Sequence, residues 1–326
     1  MIGRRAFVGA IGVAVLQAHG HAFAQGPAKR PKVGWLSGQG GLALFPVFLE
    51  ALREQGYVDG QNVVVEQFIP EGANFEQYPE LAGRLLAGRP DVIFAANPHA
   101  IDSVIKMTKT TSIVAVDLES DPVARGWVTS LARPRGNLTG LFLDIPEISG
   151  KQLQFLSEVK PGLSRIAVLG DPRVNELQFR ATEAAGKRAG LSLHALKVTT
   201  LNEIPAAIAE AARQRAGALL ILTSPLVNTN LSRIADEVLR HRLPSSCPFS
   251  PQFAEVGGLL AYGPDISDLF RRAGRYVGRI LKGAKIEDLP VQRPEKFELA
   301  LNIKTARALG LTLPMGLIQR ADRVIE

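Results

Sequence analysis

The chain of 326 residues contains one cysteine, Cys247, so no internal disulfide can form even in an oxidising compartment. Histidine is scarce as well: five residues, of which His99, His194 and His241 show no zinc-like spacing and His19 and His21 lie in the N-terminal segment. No G-x-S-x-G elbow occurs, and nothing in the sequence marks a base that would activate Cys247 as a nucleophile. Aromatic residues make up 6% of the chain, and the excess of seven basic charges is spread along it. A nucleic-acid footprint needs a basic stripe interleaved with stacking aromatics. The nearest candidate, "FRRAGRYVGR" at 270–279, reads better as the solvated face of an amphipathic helix. Beyond the N-terminus no segment is apolar over the ~20 residues that a spanning helix requires. Disulfide scaffolds, zinc hydrolases and nucleic-acid binders are therefore disfavoured. The remaining composition, 46% hydrophobic and 21% charged, is that of a soluble globular protein.

What is present begins with "RRAFVGAIGVAVLQAHGHAFAQ". Arg4 and Arg5 precede a short apolar run, and Ala22-Phe23-Ala24 supplies the A-x-A pattern of signal-peptide cleavage. Residues 1–24 are expected to be removed on export to the periplasm, by the general secretory route or, given the paired arginines, by the twin-arginine route. Cleavage would lower the formal charge from +7 to +5, and no lipid-anchoring cysteine follows the apolar run.

From Lys32 onward, apolar runs alternate with helical patterns. "KVGWLS", "NVVVEQF", "DVIFAAN" and "SIVAVD" read as strands. Phe45, Phe48, Leu49 and Leu52 form one helical face closed by Gly56, and truncation of Leu52 to Ala should cost ~2 to 5 kcal/mol. Asn74 and Gln77 predict a capping box for a helix that buries Tyr78, Leu81 and Leu85. A second series, "RIAVLG", "LSLHALKV", "ALLILT" and "PSSCPF", is separated by helices carrying Leu177, Ala181, Ala184 and Ala185, then Ile204, Ile208 and Ala211, then Leu231, Ile234 and Val238. Strands of this kind, flanked by helices, predict an α/β fold of two doubly wound parallel-sheet lobes. After "GGLLAYG" there follow one long helix, the strand "FELALN" and a last helical segment, too little for a third domain. They are expected to complete the two halves: residues 30–144 plus 264–290 in the N-terminal lobe, 145–263 plus 291–326 in the C-terminal lobe. Three crossings near Asp144, Gly263 and Pro290 would then act as a hinge.

"FLEALREQGYVDGQNVVVEQF", "ELAGRLLAGRPDVIFAANPHAI", "DPVARGWVTSLARPRGNLTG" and the stretch from "GGLLAYGPDISDLF" to "ARALGLTLP" resemble the ABC-transporter substrate-binding proteins of the tryptophan-type family. The resemblance covers essentially the whole chain after the export segment. It implies a type I periplasmic binding fold, with three crossovers and a ligand in the cleft. Its implied partners are a small-molecule solute and an inner-membrane ABC permease with its ATPase, with the receptor acting as a monomer. No enzymatic activity, cofactor, metal or nucleic acid is implied. The second-lobe strand ends "TSPLVNTN" and "GDPRVNE" match no amino-acid site, so the resemblance does not carry a solute with it.

Loops at strand ends, and helix N-termini facing such a cleft, supply the binding groups of doubly wound sheets. These are Ser37, Gln39, Asn97, Asp117 and Glu119 in the first lobe, and Asp171, Asn175, Thr223, Ser224 and Tyr262 in the second. Hydroxyls and amides suit a carboxylate and the acids suit an ammonium, so the set fits an amino acid or a related carboxylate. Each can equally be a helix cap or turn former, as Asn97 before Pro98 and Asp171 before Pro172 illustrate. A competing pattern is Gly38-Gln39-Gly40-Gly41-Leu42-Ala43, a G-x-G-x-x-A after a strand, with Glu66 placed for a ribose. It would mark an exported NAD(P)-dependent oxidoreductase. No base for a nicotinamide reaction accompanies it, and the binding-protein expectation is preferred.

Overall fold

The computed structural model describes residues 30–72, 74–117, 120–142, 145–248 and 252–326. The expected export segment, Glu119 and the crossing at Asp144 lie outside these residues. Among the described residues no helix is long and apolar enough to cross a membrane.

Strands β1 (Lys32–Leu36), β2 (Val64–Phe68), β3 (Val92–Ala96), β4 (Ser112–Asp117) and β5 (Leu138–Phe142) form a parallel sheet in the order β2-β1-β3-β4-β5. Successive side chains leave opposite faces of a strand. Val33, Trp35, Val92 and Phe94 accordingly join one core with Phe48 and Leu52 of α1 (Phe45–Glu54). Leu36, Ile93, Ala95 and Ile113 join another, with α2 (Tyr78–Ala87) and α3 (Pro98–Met107). Trp35 anchors the first core by stacking on Phe94 at 4.1 Å. The expected capping box before α2 does not form: Asn74 accepts from the Glu76 amide, whereas the Gln77 side chain turns back to the Glu71 amide at 2.8 Å.

The second sheet runs β12-β11-β10-β9-β8-β6-β7. Its strands are β6 (Arg165–Gly170), β7 (Ser192–Lys197), β8 (Ala218–Ile221), β9 (Ser245–Cys247), β10 (Leu260–Pro264), β11 (Phe297–Asn302) and β12 (Arg323–Ile325). The stretch β7-β6-β8-β9-β10 repeats the order of the first sheet, so each lobe reverses its strand order once, at β1/β3 and at β6/β8. One face carries α4 (Ile145–Val159) and α5 (Pro172–Arg188). The other carries α6 (Ile204–Arg213), α7 (Pro225–Asn228), α8 (Leu231–Arg240) and α9 (Gln252–Glu255).

Three details depart from expectation. The buried face of α5 is Asn175, Gln178, Phe179, Thr182, Ala185 and Gly186 rather than the Leu177/Ala181/Ala184/Ala185 stripe. Polar residues can be buried there because they are bonded, Thr182 to Ser149 at 2.9 Å and Asn175 to the Thr223 carbonyl. The second sheet is mixed, since β11 runs antiparallel to β10. The chain also ends in the edge strand β12, after α11 (Ile303–Ala308) and α12 (Met315–Ile318), instead of in a helix.

Between β10 and β11 the chain returns to the first lobe. There α10 (Ile266–Leu281) packs Leu269, Phe270, Ala273, Tyr276 and Val277 into the Trp35 core. Gly274 and Gly278 let it approach α1: a Cβ at 274 would stand 2.8 Å from the Ala51 methyl, and one at 278 would stand 2.5 Å from Gln55 Cβ. Two arginines of "FRRAGRYVGR" are paired, Arg275 with the last residue of α1 and Arg272 with the segment that follows α10. Arg275 pairs with Glu54 at 3.0 Å, and Arg272 holds Gln292 and Glu295 at 2.7 and 2.8 Å. The chain then stays on the first sheet as far as Gln292, which bridges to Leu141 along β5. Thr139 adds a 2.6 Å hydrogen bond to the Leu289 carbonyl. Only after this does the chain cross to β11.

Candidate functional site

Open α/β sheets bind ligands outside the carboxyl ends of strands where the strand order reverses. In the first lobe that place lies between β1 and β3. Past the end of β1, Ser37 is fully buried and accepts the Trp35 indole N–H at 2.8 Å. The next residues wind into a 3-10 turn, Gln39–Leu44, that lies directly on Ser37; a Cβ at Gly41 would come within 2.5 Å of the Ser37 hydroxyl. Gln39 ties the turn to the loop after β2 by donating to the Pro70 carbonyl at 2.9 Å.

Past the end of β3, Asn97 has φ 84° and ψ 159°, a region occupied almost only by glycine. Local bonds hold it there. Its amide donates to the Val116 carbonyl at 3.0 Å, its Oδ1 accepts from the Ala100 amide at 3.1 Å and caps α3, and its Nδ2 donates to the Tyr78 hydroxyl at 2.8 Å. Strain of this kind, about 1 to 3 kcal/mol, persists only where surrounding contacts over-determine the conformation.

These groups wall a cavity of about 320 Å³. The first lobe adds the rings of Phe75, Tyr78 and Phe270, the side chain of Val116 and the start of α10 at Asp265, Ile266 and Ser267. From the second lobe come Pro225 and Asn228 of α7, Thr229, Gln252, Glu298 of β11 and Arg323 of β12. The cavity thus lies between the lobes and has an aromatic, largely apolar body with a few polar groups, the usual make-up of a small-molecule site. Asn228 Oδ1 is buried without a hydrogen-bond partner among the described residues. Arg323 is ion-paired with Glu255, and Asp265 caps α10 by accepting from the Asp268 amide at 3.0 Å. Burial, then the nearby Asp265 carboxylate, push the Glu298 carboxyl above its ordinary pKa, while Arg323 acts in the opposite direction.

A second contact joins the lobes at the cavity's edge. The Phe75 ring stacks on His99 at 4.2 Å, and the Arg173 guanidinium of α5 lies 4.9 Å from the Phe75 ring centroid. Arg173 is aimed by Asp171 at 2.6 Å and by the Thr199 carbonyl at 2.8 Å. Burial holds His99 below the ordinary histidine pKa, and its Nε2 has no partner among the described residues.

Of the residues singled out from sequence, Ser37, Gln39 and Asn97 line the cavity. Asp117, next to the lining residue Val116, is buried but does not line it. Asp171, Asn175, Thr223 and Ser224 gather at the second lobe's order reversal, where they bond to one another's backbone or cap helices. Asn175 links the Asp171 amide to the Thr223 carbonyl, and Ser224 caps α7 through the Val227 amide. They fill that crevice themselves instead of facing the cavity. Tyr262 is packed between Phe155 at 5.0 Å and Phe297 at 5.9 Å, also away from it. Asp265, Phe270, Glu298 and Arg323 were not singled out. Asp265 obeys the same strand-end rule, and Glu298 is the acid within an otherwise apolar-alternating strand.

Residues 34–325 match the family of ABC transporter substrate binding proteins. The chain belongs to that family. A tyrosine-binding protein of Clostridioides difficile (strain R20291) is 24% identical over 268 residues, covering 81% of this chain and 75% of that protein. Among solved structures, a conserved domain protein of Vibrio cholerae superposes with a TM-score of 0.84 at 22% identity, covering 91% of this chain and all of that one. The ABC domain of Streptococcus pneumoniae in complex with L-Trp gives a TM-score of 0.83 at 23% identity, with the same coverage. The architecture is that of type I periplasmic binding proteins. The β2-β1-β3-β4-β5 order also differs from the 3-2-1-4-5-6 order to which the dinucleotide fingerprint belongs. The Gly38–Ala43 motif forms the cavity-lining 3-10 turn, and nothing found favours an oxidoreductase.

Proposed function

We propose that this protein is the solute-capturing component of an ABC importer and that its solute is an amino acid with an aromatic side chain. The observation that carries this reading is the interlobe cavity walled by Phe75, Tyr78 and Phe270 on one side and by polar groups of both lobes on the other. Its volume of about 320 Å³ is at the small end of ligand pockets, which run from about 300 to 1,000 Å³. Aromatic rings offer faces on which a ligand ring stacks, each such pair contributing about 0.5 to 1.5 kcal/mol beyond area burial. The tyrosine-binding and L-Trp-bound relatives support the same class.

Contacts made by both lobes at once exist only when the lobes are closed, so a ligand favours closure by its differential affinity for that state. Micromolar capture corresponds to about 8 kcal/mol shared among those contacts. After export and removal of residues 1–24, the closed receptor delivers its solute to an inner-membrane permease driven by an ATPase. Ser37, Gln39 and Asn97 belong to the binding wall in this reading. Titration calorimetry of the mature chain against the proteinogenic amino acids, with small-angle scattering of the complex, tests it. Micromolar binding of tryptophan, tyrosine or phenylalanine with a more compact envelope is expected. Binding confined to non-aromatic solutes refutes the ligand class, and an unchanged envelope refutes closure.

A further inference from the structure

Among the charged groups of the cavity wall, Glu298 stands apart. Arg323 is paired with Glu255 and Asp265 caps a helix, but the Glu298 carboxylate has neither a hydrogen bond nor an ion pair among the described residues. Its position in the fold is unfavourable for a charge. It lies two residues before Ala300, on the face of β11 that Ala300 presents to the core beneath the second sheet. Across the β10–β11 ladder it faces Gly263, which contributes no side chain to cover or pair with it. The charged groups around it are Asp265 before α10, Asp322 and Arg323 at β12, and Glu255 of α9. Three of these four are acids, and the single cation is already engaged. A partly buried carboxylate with no partner, in acidic surroundings, costs the fold stability. Burial and Asp265 raise its pKa accordingly.

A cation in the cavity would find in Glu298 a lining carboxylate not already engaged in a helix cap or an ion pair, and charge-assisted hydrogen bonds are about twice as strong as neutral ones. We propose that Glu298 selects an amine-bearing solute, its carboxylate accepting the hydrogen bonds of the ligand's ammonium so that the site prefers an amino acid over the corresponding amine-free acid. This rests on the aromatic amino-acid reading for the ring, but the ammonium assignment can stand or fall separately.

The test compares wild type with Glu298→Gln by calorimetry at neutral pH. The probes are L-tryptophan and L-tyrosine with their amine-free counterparts, indole-3-propionate and 3-(4-hydroxyphenyl)propionate. Wild type should bind each amino acid at least tenfold more tightly than its amine-free counterpart. E298Q should lose at least tenfold for the amino acids while binding the amine-free acids as well as before or better. Its melting temperature should equal or exceed that of wild type, because an unpaired charge has been removed. Unchanged amino-acid affinity in E298Q, or an equal loss for both kinds of ligand, overturns the proposal. If neither aromatic amino acid binds but another amine-bearing solute does, with E298Q impairing it, the aromatic reading fails and the Glu298 assignment stands. Failure to bind any amine-bearing solute sinks both.

Discussion

Asn97 offers a sharp test of whether the cavity wall is strained, because two substitutions that delete the same carboxamide should differ clearly in stability. In Asn97→Ala, the cap on the Ala100 amide is lost, at a cost of about 1 kcal/mol. The 2.8 Å bond to the Tyr78 hydroxyl goes too, at about 1 kcal/mol. Alanine must still adopt φ 84° and ψ 159° without the side-chain bonds that compensate for that conformation. Asn97→Gly loses the same bonds, but a glycine cap costs only a few tenths of a kcal/mol relative to asparagine. It also relieves about 1 to 3 kcal/mol of backbone strain, against up to ~1 kcal/mol of extra unfolded-state entropy. N97G should therefore lie between about 1 kcal/mol below and about 2 kcal/mol above wild type and N97A at least ~2 below it, from the sums of these same terms. Urea denaturation with a shared m-value reads the difference directly. Equal midpoints, or N97A the more stable of the two, would refute the claim that strain is held at this position.

Two further outcomes follow from other contacts. Gly274→Ala should destabilise by about 1 to 3 kcal/mol in spite of alanine's better helix propensity, because its methyl would press on Ala51 and the Phe48 carbonyl across the α1–α10 seam; a stabilised variant by thermal melting would show that the seam has room to spare. His99, held below the ordinary histidine value of about 6.5 by burial, favours the fold while neutral, so its contribution is present above that value and is lost as pH falls below it. The stability drop from pH 7.5 to 5.5 should be smaller in His99→Gln than in wild type, and identical drops would remove His99 from the account.

The strand positions and the division into two sheets were readable because strands covered on both faces are written as near-continuous apolar runs, whose successive residues serve different cores. Val33 and Trp35 go to one core and Leu36 to the other, and the same split recurs along β3. What resisted reading has identifiable causes. Asn175, Gln178 and Thr182 look outward-facing by polarity, yet α5 buries them because a backbone carbonyl and Ser149 satisfy two of them. Three residues at Arg323–Ile325 are too few for a periodic signal. The antiparallel run of β11 depends on a detour through the other lobe, which local pattern does not encode. In the site, Ser37, Gln39 and Asn97 follow from the rule that loops at strand ends bind. Phe75 and Tyr78 resemble helix-core residues in sequence, and Glu298 and Arg323 reach the cavity only because the returning tail adds strands to the second sheet.

The bridge between Gln292 and Leu141 has a mechanical consequence. With Gln292 stapled to β5 and Phe297 already in β11, four residues, 293–296, form the whole leash of the third connection. Fully stretched, such a leash reaches only about 14 Å, and Arg272 grips part of it through the Arg293 carbonyl and Glu295. The third connection therefore leaves the halves little slack along this edge, so the closure proposed above would change the mouth by an angle and not by paying out chain.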